Sequence, residues 1–213
     1  MLLCCAAVST AQDSDEKDFE VISHRARLQL FPQSLTLKCV DTVSVRMLKP
    51  RQDELSFRMS RLLLLDEVTI AGRQREFTHT GDHLVVDDIP SGHRLDVVVS
   101  YSGSFALRSE FSGFSTERAI LREDEIFPTG PKAYEFFRLS MVVPADWTTV
   151  AAGGVVSRQT AGDTSVIVWE FDQSLPNLGW IYAGKFVTLE DRTGDIPISV
   201  HMFQEDSASG PKV

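Results

Sequence analysis

Cysteine is scarce in this 213-residue chain, and its placement limits what it can do. Of the three cysteines, Cys4 and Cys5 lie in an apolar N-terminal run, which leaves Cys39 alone in the remainder and excludes a disulfide framework. Basic residues are in deficit: 21 Lys and Arg against 30 Asp and Glu give a formal charge of -9 and a pI near 5.0. That balance argues against a nucleic-acid or anionic-membrane surface. No segment past the N-terminal run approaches the ~18 apolar residues of a membrane span. Serine is plentiful but never stands in a Gly-x-Ser-x-Gly elbow, and no glycine-rich loop could cradle a phosphate. Nucleophilic and nucleotide chemistry both lack their parts.

The opening Met1 to Val8, followed by Ser9-Thr10-Ala11 and polar Gln12 to Asp18, reads as residues 1–18 of a signal-peptide remnant and leader. It has no basic n-region, and its apolar run is near the minimum of the ~7–15 residues such a region needs. Export to a periplasmic, extracellular or cell-surface location is the expectation. A lipid anchor on Cys4 or Cys5 ranks second, because the residues before them are not small.

What the chain does have is alternation. Ala26, Leu28 and Leu30 alternate with Arg25, Arg27 and Gln29, and Leu55, Phe57 and Met59 alternate with Ser56, Arg58 and Ser60. Arg94 to Tyr101, entered from Pro90-Ser91-Gly92, is the clearest strand. Glu76 to His79 and His83 to Val86 flank Thr80-Gly81-Asp82 as a hairpin. Leu62 to Ile70 is too short for a helix and reads as a strand. Further strands follow at Phe137 to Val143, Thr149 to Gly154, Val155 to Thr160, Thr164 to Phe171, Ile181 to Leu189 and Ile198 to Phe203. Roughly a dozen strands at this spacing predict an all-β fold, a saddle-like β-sandwich of mostly antiparallel sheets, with no helix needed. Between Gly103 and Pro131 the alternation is lost, which predicts a long loop of functional type. The domain then runs over 19–203, and the polar stretch 204–213 reads as a truncated linker.

Few residues suggest chemistry. His79 and His83 are spaced like a helical zinc pair, but Gly81-Asp82 between them makes a turn, so no metal site is assigned. His24, His93 and His201 lie far apart and read as surface residues. Glu110, Glu117, Glu123, Asp124 and Glu125 make the long loop acidic, for which a solvated face is the simpler reading. Trp147, Trp169, Trp180 and Tyr182 suit a sandwich core; a carbohydrate platform would need several of them exposed in a row.

Three segments taken together carry a family resemblance. They are Gly92 to Gly103, Leu139 to Gly153 ending Val-Pro-Ala-Asp-Trp-Thr-Thr-Val-Ala-Ala-Gly, and Ile181 to Phe186 with Ala-Gly-Lys-Phe. In order and spacing the chain resembles the N-terminal β-domain of the aminopeptidase N and leukotriene hydrolase family of zinc metallopeptidases, over about Phe19 to Phe203. In that family a Gly-x-Met-Glu-Asn loop and a His-Glu-x-x-His zinc site lie in the following domain, and neither motif occurs here. The resemblance therefore implies no catalytic residue, metal ligand or cofactor in this chain, zinc belonging to an absent catalytic domain. It also implies a polar residue ahead of a Phe-Pro pair that reaches the active site. Phe127-Pro128 matches the pair, Glu117 stands about where that residue is expected, and Glu123 is the second candidate, although the usual Gln-x-Glu pattern is absent.

The function expected is that of a non-catalytic domain which packs on a zinc catalytic domain and lines its substrate cleft, meeting peptide substrate only in the intact enzyme. The alternative is a free-standing extracellular scaffold or adhesion sandwich that binds a protein partner.

Overall fold

A computed structural model describes residues 18–49, 52–105, 112–172, 178–191 and 198–204. The expected signal and lipid anchor, Glu110, and all of the linker but Gln204 lie outside the described residues.

Eight strands form one large sheet. They are β1 (Phe19–Phe31), β2 (Thr36–Met47), β4 (Leu63–Ile70), β5 (Arg73–Gln74), β8 (Arg94–Ser104), β11 (Lys132–Pro144), β13 (Gly154–Ala161) and β14 (Thr164–Phe171), in the order β13-β14-β11-β1-β2-β8-β4-β5. Every neighbouring pair is antiparallel except β1 and β11, which run parallel from Val21↔Lys132 to Gln29↔Val142. Because side chains alternate across a strand, one face of this sheet collects Ala26, Leu28, Leu37, Val43, Val97, Val99, Leu139 and Met141, all buried.

Three smaller sheets are formed by the other described strands. β3 (Glu54–Arg58), β7 (His83–Asp87) and β6 (Phe77–Thr80) form one of them, in that order. β12 (Thr148–Val150), β15 (Trp180–Gly184), β10 (Arg118–Arg122) and β9 (Gly113–Phe114) form the second. The third is a hairpin of β16 (Phe186–Asp191) and β17 (Ile198–Phe203). A single apolar cluster joins the inner face of the large sheet to Leu55, Phe57 and Leu84 of the three-stranded sheet and to Leu121, Ile181 and Ala183 of the four-stranded one. This is a sandwich core, with the largest rings, Trp147, Tyr101 and Tyr134, fully enclosed.

Four expectations need correction. Seventeen strands are described rather than a dozen, several of them only two to four residues long. The stretch from Gly103 to Pro131 is not one loop, since it contains β9, β10 and a helical turn, α1 (Glu123–Ile126). That turn is a helix, though of only four residues, where none was expected. Finally, His24 is fully buried rather than at the surface, and its Nδ1 lies 2.7 Å from Asp41 Oδ2.

Candidate functional site

The segment that was to supply a substrate-facing residue is built around β10. Its sequence Arg-Ala-Ile-Leu-Arg buries Ala119, Ile120 and Leu121 in succession and pairs with β15 from Arg118↔Gly184 to Arg122↔Trp180. Glu117 precedes this strand and Glu123 follows it. Six residues of extended chain span about 20 Å, so the two carboxylates cannot converge on one ammonium group.

Glu117 is held at the surface by a serine turn. Ser115 Oγ accepts the backbone N–H of Glu117 at 3.2 Å and of Arg118 at 3.1 Å. The partner strand comes close because it carries Gly184: a Cβ there would stand 2.8 Å from the Glu117 carbonyl oxygen. The half-exposed Glu117 carboxylate takes Lys185 Nζ at 3.0 Å, and Asp146 takes the same ammonium at 3.3 Å. Hydrogen bonds to Glu117 and then Asp146 push the Lys185 ammonium above its ordinary pKa. Glu117, Lys185, Phe203 and Gln204 line an open hollow of about 340 Å³.

Glu123 sits in a different environment. It is 4% exposed; Oε1 accepts the Tyr134 hydroxyl at 2.6 Å and Oε2 accepts the Leu178 N–H at 2.6 Å. Burial, then the charge of Glu123, raises the Tyr134 phenol far above its ordinary pKa. With its carboxylate turned inward, Glu123 ties α1 to β11 and to the chain before β15. Glu117 is the member of the pair that a ligand in solvent can reach.

Beside Glu123 lies a second buried polar group that the sequence reading missed. His24 and Asp41 are both fully buried, and the imidazole is ringed by Phe127 at 5.5 Å, Tyr134 at 5.5 Å and Phe137 at 6.4 Å between centroids. Tyr101, on the strand next to Asp41, donates to the carbonyl of Ile126 at 2.6 Å. The pair was legible in principle, because His24 has the parity of Ala26 and Leu28, and Asp41 that of Leu37, Cys39 and Val43.

These residues do not fit a zinc site. Among the described residues no group of three or more His, Cys, Asp or Glu could hold a metal ion. His79 and His83 stand on the two arms of the β6–β7 hairpin, where Thr80 faces His83 and His79 faces Leu84. His79 Nε2 is engaged with the Met59 carbonyl at 3.2 Å.

The outer side of the four-stranded sheet is aromatic. Trp180 lies at 6.4 Å from Tyr182, which is 6.5 Å from Phe203, which stacks on Phe186 at 4.5 Å. Arg122 lies over Trp180 at 5.6 Å and Arg118 over Phe203 at 5.1 Å. Trp147 and Trp169 are core residues, leaving Trp180 as the one exposed member of the four rings weighed as a carbohydrate platform. On the β16–β17 hairpin, Val187, Leu189 and Val200 are 37%, 57% and 48% exposed. They share one face, because Leu189 pairs with Val200 and Val187 with Met202.

No protein-family profile and no curated protein sequence matches the chain. Solved structures do resemble it. The M1 zinc metallopeptidase from Deinococcus radiodurans, as an E323A mutant bound to a Tyr-Ser-Ala substrate, superposes with a TM-score of 0.70 at 13% identity, over 87% of this chain and 47% of that one. The same enzyme without the mutation gives 0.69 at 13% identity over the same shares of the two chains, and another structure of the mutant gives 0.68 at 14% identity. The chain thus has the all-β fold found in part of M1 zinc metallopeptidases and spans about half the length of the solved structures it matches.

Proposed function

We propose that this chain is the non-catalytic β-domain of an exported aminopeptidase-like zinc metallopeptidase. In this reading it packs on a catalytic domain and walls one side of the substrate cleft with the segment around β10. The observation that carries the proposal is the superposition on about half of an M1 zinc metallopeptidase, over 87% of this chain. The zinc supplies the chemistry of peptide cleavage and is held by the other domain. Glu117, whose Oε2 holds Lys185, supplies a half-exposed carboxylate whose other oxygen pairs with a peptide's ammonium group.

The exposed Val187, Leu189 and Val200 support a docking role. A two-stranded hairpin is marginal in water by itself, and an apolar face on it marks a surface that another body covers. The hairpin also adjoins the Glu117 hollow through Phe203. In this reading packing and cleft lining fall to neighbouring surfaces.

Two measurements test the reading. Aminopeptidase assays of the chain with added zinc are expected to give no turnover above background, and turnover would overturn the non-catalytic assignment. Light scattering is expected to find the isolated chain self-associating through the hairpin, and Leu189→Lys/Val200→Lys to restore a monomer. A wild-type chain that is monodisperse and binds no hydrophobic dye would defeat the docking face.

A further inference from the structure

The face of the eight-stranded sheet opposite the core has no role in the proposal above, and its charges are unevenly satisfied. Its carboxylates on β1, β8, β11 and β14 are engaged, whereas Glu67 of β4, in the same cross-strand row as Arg27, is exposed and has no ion pair among the described residues. Glu135 pairs with Arg46 and, at 4.0 Å, with Arg94; Glu20 meets Arg46 at 3.6 Å; Glu170 pairs with Arg138; Asp96 accepts the Ser44 hydroxyl at 2.5 Å. Arg25 and Arg27 stand two residues apart on β1, both exposed, and neither pairs with a carboxylate among the described residues. In a chain of net charge -9, two guanidinium groups in mid-sheet with no carboxylate partner among the described residues are a local reversal of sign.

Arg25 is also held in place. Its guanidinium lies 5.5 Å from the centroid of Phe136, and it lines a hollow of about 460 Å³ with Ser44, Arg94 and Asp96. A planar fork fixed over a ring presents its remaining donors outward, the arrangement that takes a carboxylate with two hydrogen bonds.

We propose that this face binds an extended acidic polypeptide segment, with Arg25 and Arg27 as its anchors. Side chains at i and i+2 of a strand lie about 7 Å apart. Alternate carboxylates of an extended acidic peptide repeat at the same interval, so the two spacings match. The mixture of groups on the face selects a polypeptide over a sulfated polysaccharide. Asp96 repels a uniformly anionic chain but accepts a peptide N–H, and Val40, on the neighbouring strand beside Arg27 and 46% exposed, offers an apolar contact to the residues between the acids.

The test is fluorescence anisotropy of a labelled peptide of alternating Glu and Val, titrated with the chain at low and at physiological salt. Saturable binding that weakens with salt is expected. Arg25→Ala/Arg27→Ala should weaken it tenfold or more, and Arg61→Ala/Arg73→Ala, which removes two exposed arginines elsewhere, should leave it within twofold. Arg25→Gln/Arg27→Gln, which keeps the side-chain stems, should reproduce the loss with an unchanged circular-dichroism melt. Absence of binding overturns the proposal. So does binding indifferent to the Arg25/Arg27 variants, or a heparin oligosaccharide that binds through the same arginines more tightly than the peptide.

Discussion

The phenol of Tyr134 donates to the carboxylate of Glu123 at 2.6 Å, across a buried junction between β11 and α1. The second oxygen of the carboxylate holds the Leu178 amide, so one side chain fastens three separated parts of the chain.

Removing that carboxylate leaves a phenol and an amide unsatisfied in a dry interior, and hydrogen bonds to a charged group are worth about 1.5–3 kcal/mol each. Glu123→Ala is expected to cost about 3 kcal/mol in urea denaturation, and Tyr134→Phe roughly half as much. Values below about 0.5 kcal/mol for both would refute the junction.

Gly153 and Gly81 both have positive φ, +92° and +60°, but only Gly153 is crowded: a Cβ there would lie 2.1 Å from the Glu170 carbonyl oxygen. Gly81→Ala should cost the left-handed penalty alone, about 1–2 kcal/mol. Gly153→Ala must also displace β14 from β13 and should cost clearly more. Thermal melts of the two variants give the order, and equal losses would contradict the turn geometry.

Lys185 gives a pH dependence of known sign. Its folded-state pKa is raised above 10.5 by Glu117 and Asp146, so its contribution to stability is complete below the unfolded value and disappears as pH climbs through the folded one. Melting temperatures of the wild type and Lys185→Met should differ slightly at pH 8 and converge as pH rises through the raised pKa of the lysine. A gap that widens at high pH would reverse the assignment.

Cys39 is fully buried, and burial, reinforced by the charge of Asp41, raises its thiol pKa well above the ordinary value. In a chain with Cys4→Ser and Cys5→Ser, Ellman's reagent at pH 7.5 should find no reactive thiol in the folded state and one in urea. A thiol titrating in the native protein would show that the core opens at β2.

The parts of the fold that were legible are strands with one wet face. Arg94 to Tyr101 is the alternating core of β8, and the Gly81-Asp82 hairpin lies where turn chemistry puts it. β10 escaped because Ala119, Ile120 and Leu121 are all buried, so a strand covered on both sides shows no period of two. Ile181 to Leu189 reads as one run but is two strands, β15 and β16, parted at Lys185 where the chain changes sheets. At the candidate site, Glu117 and Glu123 are named only through the family resemblance, which puts a polar residue ahead of Phe127-Pro128. Which of them faces water was not legible, because that depends on Tyr134 and the chain at Leu178 arriving from far along the sequence.

The seam between β1 and β11 joins the first strand to one that begins more than a hundred residues later, in the same direction, at the centre of the large sheet. During synthesis β1 can zip onto β2 early, but its other edge stays bare until β11 has left the ribosome. Such distant pairing makes folding slow, and an unpaired central edge invites association between nascent chains. A nascent-chain chaperone shielding β1 would therefore act on the edge that is exposed longest.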